Sequence, residues 1–331
     1  MPVEQNYRDT VNRVAFAMLV FEGLFFVAGF AFALLQILTD LIPNTVTATV
    51  VYELCYAAIY AAIFVLPVLF FKLFSLNKRT ERMYLEYKLP RETVLYVFAA
   101  VALVSAAAAV NSFMVNIFNY GTFSDEVLWG QTPTTNYELV LMVITTAVVP
   151  AFVEEFLFRG LVLTNLLPYG RTTAVLASAL LFGLMHQNAG QLFYATAAGL
   201  VLGFIYVKTR SVWVCVLIHF VNNFTSVIQS VLAERLSYMN ANLVLGLVQG
   251  AIYTLGIISA VILMLRVKDR RGEVLRLGCF ERELEADPDY AGEVIPFARR
   301  VRLFFTAPMI VFFVLSVMQM FSLVALAALL Y

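Results

Sequence analysis

The 26 residues 93–118, TVLYVFAAVALVSAAAAVNSFMVNIF, include no charged side chain. A helix of this length can cross a lipid bilayer, because about 20 apolar residues rising 1.5 Å each span roughly 30 Å of hydrocarbon. Comparable apolar runs lie on both sides of this one, and polar residues separate them. The chain is predicted to have about nine such spans, at 14–38, 46–74, 93–118, 137–167, 172–187, 191–207, 212–233, 243–266 and 303–329.

The composition agrees with a chain that is mostly embedded in lipid. Of 331 residues, 62% are hydrophobic and 13% are charged, compared with about 45–50% and about 25% in soluble domains. Hydrocarbon offers the backbone no hydrogen-bond partner, and the runs lack the short alternating pattern of barrel strands, so the spans are predicted to be helices. The predicted fold class is therefore all-α, a polytopic bundle of transmembrane helices.

The charge balance gives no support to a role in nucleic-acid binding. The chain has 22 basic and 22 acidic residues and a formal net charge of zero, so no global field would attract an acidic partner. The three cysteines, Cys55, Cys215 and Cys279, do not have the spacing of a disulfide framework or of a zinc site. The expected partners are the lipid bilayer and a membrane-associated substrate, and the oligomeric state stays open.

The distribution of Lys and Arg predicts the orientation in the membrane, because cytoplasmic loops carry the excess of both. Nine basic residues lie between Arg266 and Arg302, and the loops predicted on the same side contain nearly all the others. The opposite side receives Arg235 alone. The N-terminus is therefore predicted to be cytoplasmic and Tyr331 external.

The spans and loops divide the chain into three predicted regions. Residues 1–136 contain the first three spans and an external loop, 137–233 form a helical core, and 234–331 contain the last two spans. The last region includes a cytoplasmic loop at 267–302. Within this loop, residues 273–284 are predicted to form either an amphipathic helix on the membrane surface or a solvated connector.

Charged residues inside the fourth span are the first candidates for function, since each costs roughly 2.5–3.5 kcal/mol at the centre of a membrane helix. Glu155 and Arg159 have i, i+4 spacing and are predicted to pair. Glu154 points about 100° away from Glu155 and needs another partner. Pro150 removes a hydrogen bond one turn earlier and is predicted to distort the helix beside Glu154. The alternative is that both acids bracket Arg159 in a purely structural cluster.

The chain has only two histidines, His186 and His219, and both fall in apolar runs, with Phe182 four residues before the first and Asn223 four residues after the second. Measured from the predicted cytoplasmic ends at 1.5 Å per residue, Glu154, His186 and Asn223 lie at depths of roughly 18–21 Å, and His219 at about 12 Å. Polar residues from three helices are thus predicted to converge. A single buried histidine is more often a structural residue, but two at similar depth favour a site.

Three motifs on separate spans resemble those of the CPBP family, the CAAX proteases and bacteriocin-processing proteins that are also called the Abi family. They are Glu154-Glu155-x-x-x-Arg159, Phe182-x-x-x-His186 and His219-x-x-x-Asn223. The stretch from Gly199 to Trp213 also resembles the family's sequence ahead of the last motif. The resemblance covers about residues 137–230, and no motif covers the first three or the last two spans.

The resemblance implies a glutamate-dependent intramembrane endopeptidase that hydrolyses a peptide bond of a membrane-associated protein or peptide. Glu154 would activate the attacking water as general base, and His186 would help to position it. His219 and Asn223 would stabilise the oxyanion of the tetrahedral intermediate. Nothing in the sequence indicates a eukaryotic source, so the expected location is a prokaryotic plasma membrane. The candidate catalytic residues are Glu154, Glu155, Arg159, His186, His219 and Asn223.

Metal dependence and activity stay open at the level of sequence. Glu154, His186 and His219 are a possible zinc-ligand set, because two histidines and a carboxylate bind zinc in many hydrolases. The chain has no His-Glu-x-x-His helix, which favours a mechanism without a cofactor. A membrane scaffold or a bacteriocin-immunity protein of the same family is an alternative. A transporter is a weaker one, since internal repeats are not found.

Overall fold

The protein folds as a bundle of helices. A computed structural model describes residues 3–75, 91–118, 133, 135–271 and 295–330, and every regular element in them is helical. The predicted all-α fold class is confirmed. The helices are α1 (Val3–Asp40), α2 (Thr45–Leu73), α3 (Thr93–Phe118), α4 (Asn136–Tyr169), α5 (Arg171–Leu184), α6 (Ala189–Thr209), α7 (Val212–Arg235), α8 (Tyr238–Arg271), α9 (Phe297–Phe304) and α10 (Ala307–Leu330).

The bundle is built from helices of membrane-spanning length. In the described part of the chain, seven helices are long and apolar enough to cross a membrane, namely α1 to α4 and α6 to α8. The pair α9 and α10 gives an eighth candidate, although its two helices are bent by 68°. The chain is therefore an integral membrane protein. The predicted segment 273–284 lies outside the described residues, and so does nearly all of the external loop predicted between the third and fourth spans.

The helix α5 differs from its prediction. The sequence predicts a full span over 172–187, whereas the helix ends at Leu184 after 14 residues. It is about 21 Å long, less than the thickness of the hydrocarbon core. The physical reason is a competing cap, because the Asn188 side chain accepts a hydrogen bond from the Gly190 N–H at 2.8 Å and starts α6. As a correction to the prediction, His186 lies in the turn between α5 and α6 and not inside a helix.

The helix α4 is interrupted by two π-helical segments, Val143–Val148 and Phe156–Leu163. They flank the short α-helical stretch Val149–Glu155, which contains Pro150 near its start. Proline cannot donate the hydrogen bond that an α-helix requires, and the distortion predicted from Pro150 takes the form of the preceding π segment. Such segments occur often at functional sites, and here they frame the two acidic residues of the predicted site.

Side chains support the second π segment. Thr164 Oγ1 donates to the Arg159 carbonyl at 2.8 Å, and Ser178 Oγ donates to the Phe158 carbonyl at 3.0 Å. Thr164 Oγ1 also lies 2.6 Å from the Tyr206 hydroxyl. In lipid, a backbone group without a partner costs several kcal/mol. The unusual backbone is therefore stabilised by a hydroxyl of α4 itself and by one of α5, and the Tyr206 hydroxyl of α6 contacts the first of them.

Polar contacts join helix ends that the sequence places on the same side of the membrane. At one end of the bundle, Thr10 Oγ1 lies 3.2 Å from the Tyr169 hydroxyl, and Arg300 Nη1 donates to the Tyr169 carbonyl at 2.6 Å. Arg13 Nη1 donates to Ser75 Oγ at 2.8 Å. These ends of α1, α2, α4 and α9 are the ones that the distribution of Lys and Arg assigns to the cytoplasm. The side of the membrane that this end faces stays a prediction.

The opposite end of the bundle shows the same agreement. Asn111 Nδ2, near the end of α3, donates to the carbonyl of Gly190 at the start of α6, at 2.6 Å. Arg235 Nη2, at the end of α7, donates to the Pro133 carbonyl at 3.2 Å. Both contacts join ends that are predicted to be external.

The close packing of α5 against α6 depends on Gly199. A Cβ atom at this position would lie 2.8 Å from the Ala179 Cα atom, a distance that would push the two helices apart. Gly199→Ala is therefore expected to lower the free energy of unfolding by about 1–3 kcal/mol, the usual cost of overpacking. Thermal unfolding of the purified protein in detergent measures this effect.

Gly250→Ala, in α8, is the matched control, because no described atom outside the adjoining backbone of its own helix lies within 4 Å of the position of its Cβ. Its unfolding temperature is expected to equal or exceed that of the wild type, since alanine favours a helix over glycine. Equal unfolding temperatures for Gly199→Ala and the wild type would contradict the close contact between α5 and α6.

Candidate active site

A buried carboxylate on α4 lies at the centre of the candidate site. Glu154 is 3% exposed. Tyr60, on α2, donates its phenol O–H to Glu154 Oε1 at 2.5 Å, whereas Oε2 has no hydrogen-bond partner among the described residues. The sequence predicted that Glu154 needs a partner of its own, because it points away from Glu155. That partner is Tyr60. One carboxylate oxygen is anchored, and the other is directed at the groups described next.

The predicted ion pair of Glu155 and Arg159 is present. Arg159 is completely buried, and its Nη1 lies 2.9 Å from Glu155 Oε1. Nη2 donates to the Gly199 carbonyl at 3.2 Å, and the guanidinium lies 4.6 Å from the centre of the Phe182 ring. A buried ion pair is tolerated only when further contacts compensate its loss of hydration. The backbone of α6 and the ring on α5 supply those contacts.

His219, on α7, connects the two carboxylates. Its Nδ1 lies 2.8 Å from Glu155 Oε1, and its Nε2 lies 3.9 Å from Glu154 Oε2. An ionised carboxylate only accepts hydrogen bonds, so Nδ1 is assigned as the protonated nitrogen, and Nε2 is the atom that faces Glu154. The structure thus brings the acid of α4 and an imidazole of α7 together, as the predicted convergence of helices requires.

His186 approaches the same region from the turn after α5. Its Nδ1 lies 2.9 Å from the Phe182 carbonyl, which can only accept, so Nδ1 again carries the proton. The Phe182 ring contacts both imidazoles edge-on, with ring centres 5.2 Å from His186 and 5.9 Å from His219. A single aromatic side chain therefore holds both histidines and covers the guanidinium of Arg159.

Asn223 has a backbone partner at the π segment of α4. Its Nδ2 donates to the Thr146 carbonyl at 3.0 Å, and its Oδ1 accepts from Asn222 at 3.1 Å. Thr146 is four residues before Pro150, so its carbonyl is the one that lacks an α-helical donor because proline has no N–H. Asn223 compensates for Pro150 and ties α7 to α4. An amide has two N–H donors, so this contact leaves Asn223 able to donate to a second acceptor.

The predicted zinc ligands do not form a ligand set in this geometry. Among the described residues, no three His, Cys, Asp or Glu side chains are arranged to hold a metal ion. Glu154 Oε2 and His219 Nε2 face each other, but at 3.9 Å, wider than about 3.3 Å between tetrahedral ligands 2.0–2.1 Å from zinc. The residues therefore do not fit zinc as they stand, and metal dependence stays a question for metal analysis of the purified protein.

Tyr60 is the site residue that the sequence-based prediction missed. It lies in a row of aromatic rings with four-residue spacing, formed by Tyr52, Tyr56, Tyr60 and Phe64, with neighbouring ring centres 5.0–6.3 Å apart. The spacing could have indicated an aromatic face of α2. It could not have shown which hydroxyl reaches Glu154, because that depends on how α2 packs against α4.

Comparison with known proteins points to the same part of the chain. Residues 136–225 match the family described as Type II CAAX prenyl endopeptidase Rce1-like, close to the 137–230 over which the motifs were recognised. The chain is 33% identical over 86 residues to the Bacillus subtilis (strain 168) protein named "Putative membrane peptidase YdiL". This similarity covers 25% of the chain and 34% of the relative, so the match spans about a third of the relative's length. No solved structure matches the chain. Over residues 136–225, the chain is therefore similar to the Rce1-like CAAX endopeptidases, the family group that its motifs resemble.

Proposed function

We propose that this protein is an intramembrane endopeptidase in which Glu154 activates the attacking water. The observation that carries the proposal is the pair of facing atoms, Glu154 Oε2 and His219 Nε2, 3.9 Å apart inside the bundle. A water molecule can hydrogen-bond to both atoms at about 2.8 Å. This water donates one hydrogen bond to each of the two acceptors. The lone pairs on its oxygen then point away from both acceptors, and a peptide carbonyl can approach from that side.

In the proposed reaction, Glu154 takes a proton from this water while the water oxygen forms a bond to the carbonyl carbon. The tetrahedral intermediate then collapses as the proton passes from Glu154 to the departing nitrogen, and the C–N bond breaks. The products are a carboxylic acid and an amine. A general base typically contributes a hundredfold to ten-thousandfold to the rate, and Tyr60 holds Glu154 in the orientation that this transfer needs.

The geometry favours a different division of roles between the histidines from the one implied by the resemblance. His219, whose Nε2 faces Glu154, is proposed to position the water, and His186 is proposed to complete the water site from beside the same Phe182 ring. The second N–H of Asn223 is the proposed oxyanion donor. Preorganised donors of this kind are worth a few kcal/mol in the transition state.

The proposed substrate is a membrane-associated protein or peptide. The matched family is named for CAAX prenyl endopeptidases, and a site enclosed by membrane helices suits a substrate that arrives from the bilayer. Large apolar side chains on the outer faces of the bundle, such as Phe30 on α1 and Met264 on α8, are more than half exposed. The bundle is therefore surrounded by lipid, through which a membrane-anchored peptide diffuses to it.

Comparative mass spectrometry of protein termini tests the proposal. Cells that produce the wild-type protein are compared with cells that produce Glu154→Gln, in both the membrane and the secreted fractions. Termini created by the enzyme are expected to fall by at least about tenfold in the variant, since the general base is lost. Glu4→Gln, at an exposed carboxylate that pairs with Arg299, is the control and should leave these termini unchanged. Identical termini in wild-type and Glu154→Gln cells would contradict the proposal.

The contact between Tyr60 and Glu154 gives a further prediction. Tyr60→Phe keeps the ring in its stack but removes the hydrogen bond to a charged oxygen, a bond worth about 1.5–3 kcal/mol. The rate of cleavage is expected to fall by roughly tenfold to a hundredfold, and the unfolding temperature should fall as well, because a buried carboxylate loses its donor. Initial rates with a peptide identified by the terminal analysis measure the effect.

Tyr52→Phe is the matched control for this prediction. It makes the same substitution in the same row of rings, two turns away from Tyr60 on α2. Its cleavage rate should equal that of the wild type. If the cleavage rate fell equally in both variants, the effect would come from any tyrosine hydroxyl in this row of rings, and the specific role of the Tyr60–Glu154 contact would be contradicted.

A further inference from the structure

Besides Glu154 and Glu155, the described residues contain another buried carboxylate, Glu22, which lies outside the proposed catalytic groups. Glu22, on α1, is 3% exposed. Gln187 Nε2 donates to its Oε2 at 2.6 Å, and Ser316 Oγ, on α10, donates to its Oε1. Burying a carboxylate in a membrane bundle is costly, and hydrogen bonds that involve a charged oxygen are strong. Glu22 therefore links three parts of the bundle: α1, α10 and the turn between α5 and α6.

The residue that Glu22 holds has an unusual backbone. Gln187 has φ +50°, in the left-handed region that residues with a Cβ seldom adopt, and it is 2% exposed. Its N–H donates to the Leu184 carbonyl at 3.0 Å, where the chain leaves α5. A left-handed residue persists only where its surroundings hold it, and such residues concentrate at functional sites. The Gln187 side chain is held by Glu22.

We propose that Glu22 is a positioning residue for His186, acting through Gln187. His186 directly precedes Gln187, so a change in the backbone at Gln187 moves the imidazole relative to Phe182 and the rest of the site. The inference rests on the proposed function, in which His186 belongs to the water site. It also assigns a role to the first and last spans, which no family motif covers: together they fix the turn that carries a site residue.

Exchanging the two side chains tests this positioning role. Gln187→Glu sets two carboxyl groups against each other, and the cleavage rate should fall by roughly tenfold to a hundredfold, the range of coupling between contacting buried groups. Adding Glu22→Gln restores one amide and one carboxylate in exchanged places, and the rate should return to within about threefold of the wild type. Glu22→Gln alone keeps an acceptor for Gln187 and should lower the rate less than Gln187→Glu.

A spectroscopic readout separates this proposal from the proposed function. The chain has two histidines, so NMR of protein labelled with 13C in the histidine rings gives two sets of signals, which His186→Gln assigns. Gln187→Glu should shift the His186 signals and leave those of His219 in place, and the exchanged double variant should restore them. This measurement needs no substrate. If the wild type cleaves nothing but the His186 signals respond in this way, the proposed function fails and the positioning contact stands.

Two results would overturn the positioning role. One is a Gln187→Glu protein with unchanged rate and unchanged His186 signals, and the other is a double variant no better than Gln187→Glu alone. Should Gln187→Glu not fold, Gln187→Met replaces the amide with an apolar group of similar length and introduces no charge. It should also shift the His186 signals, and unchanged signals in this variant would equally overturn the proposal.

Discussion

Replacing Glu154 by Gln is expected to lower the rate of peptide cleavage by roughly a hundredfold to ten-thousandfold, the usual contribution of a general base. The amide keeps the size of the side chain and can still accept the Tyr60 hydrogen bond at Oε1. It cannot take a proton from water. Initial rates of purified protein in detergent, with a peptide found by the terminal analysis, measure the loss.

The stability of Glu154→Gln distinguishes loss of chemistry from loss of fold. Its unfolding temperature should equal that of the wild type or exceed it, because a buried carboxylate is replaced by a neutral group. Glu4→Gln, at the exposed surface pair, should change neither the rate nor the stability. A folded Glu154→Gln protein that cleaves at more than about a tenth of the wild-type rate would contradict the role of Glu154 as base.

Arg159→Ala is expected to have the largest effect on stability. It leaves the Glu155 carboxylate buried without its ion-pair partner and removes the contacts to Gly199 and Phe182. Breaking a buried pair in this way typically costs about 3–5 kcal/mol. Cleavage should also be lost, since Glu155 no longer holds His219 in a fixed arrangement. Unfolding in mixed detergent micelles and the cleavage rate are measured on the same preparation.

Two comparisons sharpen the test of Arg159. Adding Glu155→Gln to Arg159→Ala removes the uncompensated charge and should recover part of the lost stability without restoring cleavage. Arg266→Ala is the control, because Arg266 is 53% exposed and its ion pair with Glu92 is 3.8 Å long. Such surface pairs contribute about 0–1 kcal/mol. Equal losses of stability in Arg159→Ala and Arg266→Ala would contradict the central role of the buried pair.

Much of the candidate site could be predicted because its chemistry is rare in a membrane. Charged residues and histidines in apolar spans cost free energy on insertion into the membrane. The sequence alone therefore indicates a structural or functional role for Glu154, Glu155, Arg159 and His219. The i, i+4 spacing of Glu155 and Arg159 specifies a contact without knowledge of any other helix, and that contact is present. Local geometry is sufficient for this part of the site.

The same rule could have identified Glu22, which lies within the first apolar span. Its partners could not have been derived, because Gln187 and Ser316 are 165 and 294 residues away in the chain. Tyr60 carries no such signal, since tyrosine is common in membrane helices and only the packing of α2 on α4 selects one hydroxyl. Asn223 was predicted as an oxyanion donor. Its hydrogen bond to the Thr146 carbonyl could not have been predicted, because it depends on the packing of α7 against α4.

The sequence by itself determined that the chain lies in a membrane as an all-helical bundle, because hydrocarbon forces long apolar runs to satisfy their own backbone. Its three spaced motifs also indicated the resemblance of the central segment to the CAAX proteases, and a family match covers the same segment. The tertiary structure decided where α5 ends, which groups hold Glu154 and His186, and how the outer spans reach the site. These depend on contacts between distant segments, and only packing in three dimensions brings such segments together.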